Sequence, residues 1–97
     1  MQIYKLKHKP TGLYYKKHGF IAEKGSTYHS PLNALTHSKR GAHIDIRIST
    51  KDNDKRKRYE AIMTDLYGKG REYTWKAKEW TVPCDDFEKE IIGELFV

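Results

Sequence analysis

The chain has 97 residues, 37% of them hydrophobic and 33% charged, with a formal net charge of +6 and a pI near 9.4. That length holds one hydrophobic core and a single domain, residues 1–97, and two Trp, seven Tyr and three Phe supply bulk that a disordered chain lacks. A lone cysteine, Cys84, excludes an internal disulfide and a multi-cysteine zinc site. No apolar run is long enough to span a bilayer and no signal-peptide pattern follows the start, so a cytoplasmic protein without membrane contact is expected.

The charge is unevenly spread. Residues 1–58 hold 14 Lys/Arg against 4 Asp/Glu, and residues 59–97 hold 5 against 9, so the chain has a basic part of +10 and an acidic part of −4. A basic surface of this strength attracts nucleic acid or another polyanion.

Gln2 to His8 alternates, with Tyr4 and Leu6 on one face and Lys5 and Lys7 on the other, the period of a half-buried strand. Lys9-Pro10-Thr11-Gly12 has the chemistry of a type I turn, and Leu13 to Lys16 reads as the return strand of a hairpin. Gly19 to Ala22 and Thr27 to His29, joined by Glu23-Lys24-Gly25-Ser26, suggest a second hairpin. Ser30-Pro31 then reads as the cap and first residue of a short helix ending before Gly41.

Ala42 to Thr50 is the clearest strand, with Ile44, Ile46 and Ile48 on one face and His43, Asp45 and Arg47 on the other. Asp52, Asn53 and Asp54 offer caps to the main helix over residues 54–67, where Tyr59, Ile62, Met63 and Leu66 form the apolar stripe and Gly68 stops the helix. Residues 71–82 read as one long unbroken strand with Trp75 inward and Trp80 outward beside Lys76 and Lys78, ended by Pro83. In the acidic stretch Asp85 to Val97, Phe87, Ile91 and Leu95 fit one side of a helix capped by Asp85 or Asp86, which Gly93 weakens by about 1 kcal/mol. The expected fold is α+β, a small antiparallel sheet of about four to six strands with the 54–67 helix on one face.

Four constellations bear on function. Lys55-Arg56-Lys57-Arg58 opens the main helix, where cations oppose the positive end of the helix dipole at a cost of about 0.3–1 kcal/mol each, so local stability does not favour them. On a helical wheel Lys57 points away from the core, Arg56 and Arg58 flank it, and Lys55 lies at the edge of the apolar stripe. A solvated helix start, partly neutralised by Asp52 and Asp54, explains the same residues without a ligand. The hairpin cations Lys5, Lys7, Lys9, Lys16 and Lys17 with Tyr14 interleave charge and ring as single-strand RNA binders do, although edge lysines also keep sheets from aggregating. Trp80 is a candidate stacking residue beside Lys76 and Lys78, or is covered by the C-terminal segment. His8, His18, His29, His37 and His43 are the acid/base set that a small metal-independent ribonuclease would need, but no telling spacing joins them, and no metal-binding motif occurs.

The opening Tyr4-Lys5-Leu6-Lys7-His8-Lys9-Pro10-Thr11-Gly12-Leu13-Tyr14-Tyr15-Lys16, with Gly25-Ser26-Thr27-Tyr28 and Ser38-Lys39-Arg40-Gly41, resembles small accessory proteins of T4-type tailed bacteriophages over roughly the first 40 residues. The resemblance implies host takeover or counter-defence in the host bacterial cytoplasm, and one kind of such protein is a small RNA-binding inhibitor of a host endoribonuclease toxin. No functional residue is carried over from it.

The expected function is therefore non-enzymatic RNA binding, blocking or sequestering a host defence or ribonucleoprotein component, with no cofactor and no metal. Its candidate contacts are Lys5, Lys7, Lys9, Tyr14, Lys16 and Lys17, then Lys39, Arg40, Arg56, Lys57 and Arg58, then Lys76, Lys78 and Trp80. A protein-binding inhibitor docking on an acidic host protein is the alternative, a ribonuclease the third reading, and self-association is compatible with each.

Overall fold

The computed structural model describes residues 2–28, 42–74 and 77–94. The expected short helix after Pro31, with Lys39 and Arg40, lies outside them, as do Trp75 and Lys76. The first strand, β1 (Gln2–His8), keeps the expected faces: Tyr4, Leu6 and His8 are buried, while Lys5 and Lys7 lie on the opposite side. Its return strand β2 (Tyr14–Lys16) pairs with it antiparallel at Lys7 and Tyr14. The next strand, β3 (Phe20–Ala22), turns back on β2 rather than pairing with Thr27 and Tyr28, and Tyr28 instead bridges Tyr4 of β1 through two backbone hydrogen bonds.

The isoleucine strand is β4 (His43–Ile48), with Ile46 fully buried and Ile44 and Ile48 packed against the core. It runs parallel to β3, so the sheet is mixed rather than wholly antiparallel. Helix α1 (Asn53–Tyr67) begins where the cap residues indicated: the Asp52 side chain accepts from the backbone N–H groups of Asp54 and Lys55. Of its expected stripe only Met63 is fully buried; Tyr59 and Tyr67 complete the contact at spacings of four, and Leu66 is half exposed.

Two expectations fail for the same reason, that local periodicity does not reveal a distant partner. The 71–82 strand is a hairpin, β5 (Arg71–Thr74) and β6 (Ala77–Pro83), with a register shift between Glu72 and Thr74. The C-terminal stretch is a strand, not a helix: after a 3-10 turn (Cys84–Asp86), β7 (Phe87–Glu94) lies antiparallel to β1 along its whole length. These two strands take the sheet to seven, above the expected count, in the order β5-β6-β4-β3-β2-β1-β7. With one helix among the described residues on one face of the sheet the architecture is α+β, and α1 packs over β4 and β6. No helix of the described residues is long and apolar enough to cross a membrane.

Trp80 is only 2% exposed and belongs to the core with Ile46, Val82 and Met63. The outward placement beside Lys76 and Lys78 is thus overturned. Tyr73 and Trp80 do lie on opposite faces, as alternation expects, but the Tyr73 side is the one open to water and the Trp80 side the one that packs beneath α1; alternation separates two faces without saying which of them will be covered. The indole is seated against Gly70, where a Cβ would stand 2.7 Å from a ring carbon, so only the absence of a side chain lets the two meet.

Candidate functional site

The basic residues fall into three settings. Along the outer face of β1, register pairs Lys5 with Glu90 and Lys7 with Glu88, so the acidic end of the chain lies beside the basic hairpin. The Lys7 ammonium is 3.8 Å from Glu90, Tyr14 donates its hydroxyl to Glu90 at 2.8 Å, and Lys5 sits over the Tyr14 ring while donating to the Lys24 carbonyl. Donating to a carboxylate raises the Tyr14 pKa. Lys5 and Lys7 are thus held by partners within the molecule, while Lys9, Lys16 and Lys17 remain exposed.

At the start of α1 the four cations separate. Lys55 is 3.0 Å from Glu23, whose hydrogen bond and charge raise the Lys55 pKa. Arg56 is partly buried and donates to the Thr50 carbonyl, while Lys57 and Arg58 are exposed. So only Lys57 and Arg58 of the run match a freely solvated helix start.

The third setting is a groove of about 760 Å³ at the end of β4, where the chain leaves the sheet to enter α1. Lys16 from β2, Lys24 after β3, Lys51 before the helix cap, Arg56 from α1 and Lys78 from β6 all line it. Its acids are Glu23, already paired with Lys55, and Glu60. Phe20, Ala22, Ile48 and Ala77 supply an apolar floor. Three residues singled out in the sequence, Lys16, Arg56 and Lys78, meet here although they come from three different elements. Lys24 and Lys51 were missed; their signal was only proximity to a turn and a helix cap, which gives no hint of a shared cleft.

The described histidines do not assemble into a catalytic pair. His18 is exposed in the β2–β3 turn at φ 70°, and His43 is exposed at the start of β4. His8 is fully buried, and its two ring nitrogens have separate partners: Nδ1 lies 2.7 Å from the Thr11 hydroxyl and Nε2 2.7 Å from the Tyr67 hydroxyl. Tyr67 in turn donates to Asp86 at 2.6 Å, which leaves its oxygen to accept from a protonated Nε2 of neutral His8. Burial lowers the His8 pKa to about 4, against a smaller upward pull from Asp86. Burial and the bond to Asp86 raise the Tyr67 pKa. His29 and His37 lie outside the described residues, and among the described residues no cluster of metal-ligating side chains occurs. No family model, curated protein or solved structure matches the chain.

Proposed function

We propose that this chain is a non-enzymatic RNA-binding protein and that the groove at the head of α1 takes the phosphate backbone. One observation carries the reading: five cations from five separate segments converge on one open groove in which, among the described residues, Glu60 is the one acid not already paired with a lysine outside the lining. Bringing like charges together in this way opposes folding unless they lie apart in solvent or an anion joins them. A groove of this kind tracks a chain of phosphates and gives affinity without sequence preference. The likeness of the opening segment to T4-type phage accessory proteins extends the proposal to a setting, in which the protein blocks or sequesters a host defence or ribonucleoprotein component.

The test is the salt dependence of binding to a labelled single-stranded RNA. For wild type the logarithm of affinity falls linearly with the logarithm of salt, by about 0.7 per phosphate neutralised. Lys51→Gln and Lys78→Gln each reduce that slope by about one contact while the melting temperature holds. Folded variants with the wild-type slope remove the groove from the site.

A further inference from the structure

The face of the sheet turned away from α1 carries a transverse row that follows from the registers. Arg71 is opposite Glu79, Glu79 opposite Arg47, Arg47 beside Phe20, and Phe20 opposite Lys16, so five consecutive strands from β5 to β2 present one line of side chains. The line is held as a unit. Arg71 bonds Asp45 at 2.8 Å and Glu79 at 2.9 Å, Thr81 donates to Asp45, and Arg47 donates to the His18 carbonyl at 2.8 Å. These hydrogen bonds, from Thr81 first and then Arg71, lower the Asp45 pKa.

The guanidinium of Arg47 is stacked between two rings, 4.2 Å from the centroid of Phe20 and 4.2 Å from that of Tyr73. Tyr73, carried outward at the β5 register shift, is nevertheless 56% exposed. An aromatic ring backed by a fixed guanidinium, with its other side open to water, is a preformed stacking position. The row also runs directly into the groove, because its last two members, Phe20 and Lys16, line that groove.

We propose that Phe20, Arg47 and Tyr73 form a base-stacking surface continuous with the basic groove, so that the RNA ligand is single-stranded, its phosphates in the groove and an unpaired base on Tyr73. This rests on the groove reading and adds to it the class of RNA and the residue that meets the base. Phosphates alone do not use an aromatic ring, and bases stacked inside a duplex do not present their faces, so the arrangement selects for unpaired nucleotides. The charge pattern agrees: Asp45 and Glu79 are held by Arg71, Thr81 and Arg47, which leaves the row without an uncompensated acid facing the ligand.

The experiment compares three probes on wild type, Tyr73→Ala and Tyr73→Phe: a single-stranded oligouridylate, an RNA duplex of equal length, and inorganic polyphosphate, which has charge and no bases. Wild type is expected to prefer the single strand over the duplex. Tyr73→Ala is expected to weaken single-strand binding about 5- to 150-fold, the range for losing one stacked base, to leave polyphosphate binding unchanged, and to be rescued by Tyr73→Phe. Wild-type polyphosphate binding with Tyr73→Ala still binding the single strand normally overturns the stacking surface and leaves the groove standing. Equal loss for all three probes also overturns it, because a local unfolding would do that. A wild type that binds none of the probes overturns the groove and the stacking surface together.

Discussion

Nε2 of His8 lies 2.7 Å from the hydroxyl of Tyr67, joining the last residue of β1 to the last residue of α1. The bond belongs to a continuous chain: the Leu13 backbone donates to Thr11, Thr11 meets His8 Nδ1, and Tyr67 passes on to Asp86. The two hydroxyls each accept one bond and donate the next: Thr11 accepts from Leu13 and donates to Nδ1, and Tyr67 accepts from Nε2 and donates to Asp86.

That chain predicts an acid-sensitive fold. The folded-state pKa of His8, about 4, is below its ordinary 6.5, so the unfolded chain binds the proton more readily between those values. Stability from neutral His8 is complete above about pH 6.5 and is lost as pH falls through 4. At about 1.4 kcal/mol per pKa unit the full loss is on the order of 3–4 kcal/mol. Denaturant melts of wild type and His8→Gln across pH 4 to 7 measure it: the wild-type midpoint drops on acidification and the variant's drop is smaller. Parallel curves would show that His8 does not carry the pH dependence.

Trp80 and Gly70 make a second test. Truncating the buried indole in Trp80→Ala is expected to cost about 3–5 kcal/mol, a large share of the stability of a small domain. Gly70→Ala places a methyl into the ring and is expected to cost about 1–3 kcal/mol. Tyr73→Ala, at an exposed site, should melt near wild type. Thermal melts by circular dichroism rank the three, and a Trp80→Ala protein as stable as Tyr73→Ala would return Trp80 to the surface.

Glu90 offers a third. It faces Lys7 and accepts from Tyr14, so Glu90→Gln releases a cation and a ring on the hairpin face. The Tyr14 titration should move down toward its ordinary value, since the group raising it has lost its charge. If that face flanks the RNA path, affinity at low salt rises about two- to fivefold, the scale of one exposed ion pair. Unchanged affinity with a shifted Tyr14 titration would place the hairpin outside the path.

Much of the fold is legible in local pattern because burial on one side imposes a period. Tyr4 and Leu6 alternate with Lys5 and Lys7, Ile46 lies between Asp45 and Arg47, and Asp52 stands where a helix cap must be; in each case neighbours in sequence share the environment that selects them. The basic character of the surface was legible in the same way, since charge is additive along the chain. What the tertiary structure decided concerns residues whose partners are far away. Phe87 to Glu94 has enough Ile and Glu to satisfy a helical or a strand period, and the open edge of β1, with lysines to meet its acids, makes it β7. Trp80 faces inward and Tyr73 outward because α1 packs over the Trp80 side of β6, a choice that alternation alone leaves open. Lys16, Arg56 and Lys78 become neighbours only where β4 ends beneath the start of α1, and His8, Tyr67 and Asp86 become a chain only when three elements pack at one point. A periodicity reports the side a residue faces; the groups it meets there depend on how the elements are assembled.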